Sequence, residues 1–108
     1  MSTIFHADQN ELPWAQYGGN DGAGNIRFKA LTEGVDTAMR VQFIEYAPSH
    51  SDPVHQHDEG EVFVVTDGEL WVNDARNGPG SIICIPRHTD YAVRSGADGA
   101  RFFRVVVP

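Results

Sequence analysis

Apolar and polar residues alternate with a period of two along most of this chain, which predicts short β-strands rather than helices. Turn-forming residues separate the apolar segments at regular intervals, and Asp67-Gly68 is a strong signal for a β-hairpin. The predicted strands cover residues 26–31, 38–47, 54–57, 61–66, 69–73, 81–85, 91–94 and 101–107. Between them we expect turns at residues 32–36 and 96–99 and loops at residues 49–53 and 74–80. Several short strands at this spacing predict an all-β sandwich or a small barrel.

The first 24 residues differ from the rest because they are polar and rich in glycine. We expect residues 1–24 to form an N-terminal arm and loop, with Trp14 as part of the point where the arm docks onto the body. Residues 25–108 then form a single barrel domain, because a chain of 108 residues suits one hydrophobic core.

The charge balance argues against several classes of partner. The chain has 8 Lys and Arg against 15 Asp and Glu, and a formal net charge of −7, which disfavours nucleic acid and anionic membrane surfaces. No apolar run approaches the roughly 20 residues of a membrane helix, and no signal peptide is visible. The single cysteine, Cys84, fits a reducing compartment, and we expect it to be buried as a small hydrophobe. These features predict a cytoplasmic protein.

The spacing of His55, His57 and Glu61 predicts a metal centre. Side chains two positions apart share a face on a strand, whereas on a helix they would point about 200° apart. A tight turn through residues 58–60 can bring Glu61 back to the two imidazoles, and we place Glu61, rather than Glu59, inward. Two imidazoles and one carboxylate suit a divalent ion such as iron, zinc, nickel or manganese.

The same segment carries a family resemblance. Residues 55–68 resemble the first cupin motif, His-x-His-x3-Glu-x6-Gly, at every position, although the glycine that usually precedes it falls on Ser49. Residues 80–91 resemble the second motif in part, because Gly80 and Pro86 match. Where that motif has its second glycine, its histidine and its asparagine, this chain has His88, Tyr91 and Ser95.

The resemblance implies a small single-domain cupin, similar to the cupin domains of anti-sigma factors and to some ring-cleaving dioxygenases. Its fold would be an antiparallel jelly-roll barrel (a double-stranded β-helix) of six to eight strands, with a metal ion inside the wider end. Family members commonly use iron, manganese, zinc, nickel or copper, held by three histidines and a glutamate. Carried over to this chain, the ligands are His55, His57 and Glu61, and the pattern departs at Tyr91.

Four interpretations of Tyr91 remain open. It can bind the ion as a phenolate or donate a hydrogen bond to a ligand, although the pKa of a free tyrosine is about 10. It can be a catalytic proton-transfer group beside a metal with an open position. His88 can supply the last ligand instead. Finally, Tyr91 can simply line the barrel of a site that has lost its metal.

The strand before the first motif has two different faces. Arg40, Gln42 and Tyr46 share one face, and Met39, Val41 and Phe43 share the other. Packing usually turns the apolar face toward the core, so we expect an apolar pocket wall from this strand. The opposite arrangement would give a polar wall suited to an anionic or carbonyl-bearing substrate.

Together these features predict a small metal-dependent enzyme that acts on a small carbonyl, enol or carboxylate compound. Dioxygenation, isomerisation, lyase and cyclase chemistry all fit, and this step rests on family analogy. The alternative is a non-catalytic module that binds a metal or a ligand, such as a sensor domain. We also expect a homodimer, because an open β-sandwich has edges to cover.

Overall fold

The computed structural model describes residues 4–17, 25–35 and 38–108. Most of the predicted glycine-rich loop and part of the turn before residue 38 lie outside the described residues. The strands are β1 (Ala15–Gln16), β2 (Ile26–Ala30), β3 (Arg40–Tyr46), β4 (Ser51–His55), β5 (Gly60–Val72), β6 (Ala75–Asn77), β7 (Ile82–Ile85) and β8 (Tyr91–Val107). A short 3-10 helix, Gln9–Glu11, precedes them. Within the described parts of the chain, no helix is long and apolar enough to cross a membrane.

The eight strands form one hydrogen-bonded sheet. Its two long strands, β5 and β8, pair along most of their length and join two parts of it, a first and a second sheet. The first half of β5 and the second half of β8 lie in a sheet of order β1-β2-β3-β8-β5-β7. The other halves of both strands lie between β4 and β6. Every pairing is antiparallel, so the predicted all-β jelly roll is confirmed.

The predicted hairpin at Asp67-Gly68 is wrong, and so is the turn expected at residues 96–99. Both segments lie inside continuous strands, and the β5–β8 register shifts around Asp67 and Gly68. Gly68 has φ +71° and Gly99 has φ +81°, and the two backbones approach closely. These glycines therefore serve bulges that let one pair of strands pass from the first sheet into the second.

Two predicted loops also contain strands. The loop expected at residues 49–53 contains the start of β4, and the loop expected at 74–80 contains β6. The expected burial of Cys84 is wrong as well, because its side chain is exposed. It lies in β7 on the same face as Ile82, which is 66% exposed, and β7 pairs with β5 alone among the described strands. A residue on the outer face of an edge strand has little to pack against.

The expected inward orientation of the apolar face of β3 is also wrong, because β3 buries side chains on both faces. Ile44 and Tyr46 belong to the core cluster between the sheets. Phe43 points to the outer face, where its ring stacks on Trp14 at 5.5 Å between centroids and lies 4.7 Å from the ring of Phe103. The N-terminal arm thus covers an outer apolar patch, and the inner face of β3 is free to carry polar residues.

Trp14→Ala is expected to lower the free energy of unfolding by about 2 kcal/mol, since the indole covers Phe43 and attracts three cations. The guanidinium groups of Arg27 and Arg101 lie 4.7 and 5.6 Å from the ring centroid, and the ammonium of Lys29 lies 4.6 Å from it. Urea unfolding would measure the loss. Trp14→Phe is the matched control, because it keeps an aromatic ring over Phe43 and should retain most of the stability. Wild-type stability in Trp14→Ala would show that the arm does not support the barrel.

Candidate functional site

A cavity of about 420 Å³ opens at the end of the barrel where β4 joins β5. Its apolar wall includes Ile26, Phe28, Ile44, Phe63, Val93 and Phe102. Its polar lining includes Gln42, Tyr46, Asp52, His55, His57, Glu61, Tyr91 and Arg104. Clefts of this size, mostly apolar and with a few convergent polar groups, are typical of small-molecule sites.

The register of the central strands explains why one part of this lining is polar. Gln42 of β3 pairs with Arg104 of β8, and Arg104 pairs with Phe63 of β5. Residues paired in this way share a face of the sheet, and Glu61 joins them because it lies two positions before Phe63. The first sheet therefore presents a carboxylate, a guanidinium and an amide to the cavity side by side.

Glu61 is the most deeply buried charged group of this lining, with 3% of its surface exposed. Its Oε1 accepts a hydrogen bond of 2.5 Å from the hydroxyl of Tyr91. Its Oε2 accepts a charge-assisted hydrogen bond from Nε of Arg104, whose Nη1 also donates to Oε1 of Gln42 at 3.0 Å. Both carboxylate oxygens therefore have strong donors, as expected of a buried charge. The inward position predicted for Glu61 is confirmed, while Glu59 pairs with Arg40 outside the cavity.

Tyr91 is a protonated hydrogen-bond donor in this arrangement. Burial raises the pKa of its hydroxyl well above the usual value, and the hydrogen bond and charge of Glu61 raise it further. The hydrogen bond from its hydroxyl to Oε1 of Glu61 favours the interpretation of Tyr91 as a donor to Glu61. The alternative ligand, His88, is not part of the cavity lining, and its Nε2 lies 3.3 Å from Oδ1 of Asp58.

The two histidines reach the cavity from different kinds of structure. His55 is the last residue of β4, whereas His57 lies in the connection after it, so the prediction that both lie on a strand holds only for His55. Their ring centroids are 5.0 Å apart. Nδ1 of His55 lies 2.8 Å from the carbonyl oxygen of Pro53, which can only accept a hydrogen bond. In the neutral form of the ring, this contact places the proton on Nδ1 and the lone pair on Nε2.

The predicted metal ligands come together at one cavity, but their arrangement does not fit a resident divalent ion. Among the residues that the structure describes, no group of three or more His, Cys, Asp or Glu side chains is arranged to hold a metal. Nε2 of His57 lies 3.8 Å from Oε1 of Glu61, yet Glu61 already pairs with the Arg104 guanidinium. Two like unit charges about 4 Å apart repel by about 4 kcal/mol at an effective dielectric constant of ~20, and a divalent ion would double this penalty.

A second polar group in the lining was not predicted from the sequence. Asp52 accepts a 2.9 Å hydrogen bond from the hydroxyl of Tyr46, and its Oδ1 lies 2.8 Å from Nε2 of His50. His50, which a loop position would leave in solvent, is only 9% exposed. Burial, followed by the charge of Asp52, raises the pKa of Tyr46. The cavity therefore holds two carboxylates, of which Glu61 has a guanidinium partner and Asp52 has a phenol and an imidazole.

No protein-family model matches the chain, and no curated protein matches it in sequence. Solved protein structures, in contrast, do match the chain. KdgF from Halomonas sp. superimposes with a TM-score of 0.79 at 18% identity, covering 98% of this chain and 94% of that one. The polyketide cyclase RemF from Streptomyces resistomycificus superimposes with a TM-score of 0.76 at 20% identity, and the match covers 97% of this chain and 80% of that one.

A regulatory protein is similar too. The anti-sigma protein ChrR of Rhodobacter sphaeroides, solved in complex with SigE, matches with a TM-score of 0.72 at 16% identity, and the match covers 94% of this chain and 52% of that one. An RmlC-like cupin from Shewanella frigidimarina matches with a TM-score of 0.79 at 18% identity, covering 98% and 92%. These similarities confirm the fold that the motifs predicted: the chain has the cupin barrel architecture.

Proposed function

We propose that this chain binds a small carbonyl, enol or carboxylate compound in its cavity and catalyses proton transfer on it, as isomerases, lyases and cyclases do. The observation that supports this proposal is that one largely apolar cavity is lined by both a fixed guanidinium, that of Arg104, and an imidazole with a lone pair, that of His55. The apolar wall suits a hydrocarbon or aromatic part of the substrate. The polar side suits an oxygen that gains negative charge during the reaction.

Arg104 is the group that would receive the substrate oxygen. A guanidinium carries five N–H donors, of which the Nε donor goes to Glu61 and one Nη1 donor to Gln42. Arg104 lines the cavity, so its further donors can meet a carboxylate or an enolate oxygen. A donor held in place before the reaction stabilises such a charge without costly reorganisation. Glu61 and Gln42 act in this scheme as positioning residues for Arg104.

His55 is the group that would accept the proton. Its Nε2 lone pair takes a proton from the carbon next to the substrate carbonyl. The electron pair of the broken C–H bond forms the C=C bond of an enolate, and the π pair of the carbonyl moves to its oxygen. Return of the proton to a different carbon completes an isomerisation, and departure of a group from the adjacent carbon completes an elimination. The proton on Nδ1, held by the Pro53 carbonyl, keeps the ring in the tautomer that this step needs.

Tyr91 would support this site as a positioning residue, because its hydroxyl holds Glu61 and its raised pKa makes it a weak acid near neutral pH. The catalytic proton-transfer role predicted for Tyr91 stays a prediction. The metal centre predicted on His55, His57 and Glu61 is not supported by this arrangement of the described residues, while the homodimer and the cytoplasmic location stay predictions.

His55→Asn is expected to slow substrate deprotonation by about 100-fold, which is the low end of what a positioned general base contributes. The measurement is deuterium exchange at carbon, followed by proton NMR in D2O, with 2-oxobutanoate and an aryl 1,3-diketone as probes. The wild-type chain should accelerate exchange of at least one probe. His88→Asn is the matched control, because His88 is a histidine outside the cavity lining and its loss should leave the rate unchanged.

The alternative function is a non-catalytic ligand-binding or sensor module, which the similarity to the anti-sigma protein ChrR favours. The same assay separates the two. A probe that raises the melting temperature of the chain while its carbon-bound protons exchange no faster than in buffer would contradict the enzyme and support the module. Exchange that is equally fast in wild type and His55→Asn would contradict the role of His55.

A further inference from the structure

We propose that Arg104 is the built-in cation of this cupin site. Its guanidinium provides the positive charge at Glu61 that the predicted divalent ion would otherwise supply, so the chain holds no resident metal. Removing Arg104 should therefore create a metal site on His55, His57 and Glu61. This inference concerns the charge balance of the cavity and does not depend on the proposed proton transfer.

The burial of Glu61 makes a positive partner necessary. The carboxylate side chain is 1% exposed, whereas the side chain of Arg104 is 20% exposed and reaches it from the neighbouring strand. A buried carboxylate without a cation is costly, and one guanidinium balances it fully. The carboxylate and the guanidinium already neutralise each other, so the pair offers no negative charge to balance an added divalent ion. The pair is therefore complete as it stands.

Contacts on two sides hold Arg104 at this position. Nε donates to Glu61 on β5, and Nη1 donates to Gln42 on β3, while Arg104 itself lies on β8 between these strands. A guanidinium held by a carboxylate on one side and an amide on the other is not free to swing away and admit an ion. The planar fork of arginine suits this double contact better than the single ammonium of lysine.

The residues around the pair include the ligands of a latent metal site. Nε2 of His57 lies 3.8 Å from Oε1 of Glu61, and the ring of His55 lies 5.0 Å from that of His57 with its Nε2 lone pair available. Two imidazoles and a carboxylate are ligands that Zn²⁺ and Co²⁺ accept. As they stand, these described side chains form no metal site, and we infer that the positive charge of Arg104 is what keeps an ion from drawing them together.

The test is a metal titration of the tag-free chain after dialysis against EDTA. Wild type should bind no stoichiometric Zn²⁺ or Co²⁺ by calorimetry, and metal analysis after purification should find none. Arg104→Met should bind one equivalent, with an affinity on the order of 100-fold or more above that of wild type, since a repulsive charge has been removed. Visible absorption of the Co²⁺ form would report imidazole and carboxylate ligation.

Two variants serve as controls. Arg101→Met removes a guanidinium from the same strand, but Arg101 pairs with Glu45 outside the cavity, so this variant should gain no metal. Arg104→Met combined with His57→Ala should lose most of the acquired affinity, because one imidazole ligand is gone. If Arg104→Met does not fold by circular dichroism, Arg104→Gln, which removes the charge but keeps a hydrogen-bond donor, replaces it in the same titration.

A wild-type chain that retains one equivalent of metal through EDTA dialysis would overturn the inference. A folded, uncharged Arg104 variant that binds no more metal than wild type would overturn it too. Both results are read from metal binding, whereas the deuterium-exchange assay reads proton transfer, so the two proposals fail in different measurements. Conversely, absence of exchange would contradict the proposed function and leave the metal titration intact.

Discussion

The Gly68→Ala variant is expected to lose about 3 kcal/mol of folding free energy, because its methyl group would collide with the backbone of β8. A Cβ at Gly68 would lie 2.1 Å from the carbonyl oxygen of Gly99 and 3.1 Å from Cα of Ala100. The residue also has φ +71°, a region that side chains rarely adopt. Neither backbone can retreat easily, because β5 and β8 are each paired with other strands at this bend.

Gly34→Ala is the matched control for that loss. Gly34 has φ +79°, but a Cβ built there meets no atom of the described residues within 4 Å, so the variant is expected to carry only the conformational penalty of about 1 kcal/mol. Urea unfolding of both variants gives the comparison, with an unchanged m-value as the check that the unfolding transition is comparable. Equal losses in the two variants would show that the Gly68–Gly99 approach is soft and does not fix the bend.

The error at Asp67-Gly68 shows where local sequence reasoning about this fold stops. Glycine with positive φ serves a hairpin turn and a β-bulge equally well, and the flanking residues are apolar in both cases. The choice depends on Gly99, which lies 31 residues later along the chain and completes the close approach. The strand positions were predictable because alternation is local. The continuity of β5 through the bend was not, because it depends on pairing with β8.

The orientation of β3 also depends on a distant part of the chain, the N-terminal arm that carries Trp14. Phe43 satisfied the expectation that an apolar residue is buried, but it is buried under Trp14 on the outer face. Alternation in the sequence separates the two faces of a strand, but it does not show which part of the protein packs against each face. Here the arm covers the apolar face, so Gln42 and Tyr46 line the cavity.

The site could be predicted from the sequence only in part. The motif spacing led to His55, His57, Glu61 and Tyr91, and all of them line one cavity. Arg104 was missed, although a single charge within the apolar run of residues 102–107 is a usable signal. It lies 43 positions from Glu61, so only the strand register brings the two together. The metal prediction could not anticipate a competing cation from the last strand.

Arg104→Met is expected to lower the free energy of unfolding by about 3 kcal/mol in metal-free buffer, because it leaves the carboxylate of Glu61 buried without a cation. Glu61→Gln should cost only about 1 kcal/mol, since the amide can still accept the Tyr91 hydrogen bond and Arg104, at 20% exposure, can turn toward water. The two halves of one ion pair therefore have unequal effects. Burial of the carboxylate, rather than the strength of the pair, determines the loss.

The double variant Arg104→Met with Glu61→Gln provides the decisive comparison, because it removes both charges together. It should be more stable than Arg104→Met alone, so that the second substitution partly rescues the first. Unfolding is measured in EDTA, because an ion bound to the folded state of Arg104→Met would stabilise it by mass action. Additive losses in the double variant would contradict the charge-balance argument and would indicate that Arg104 contributes by packing alone.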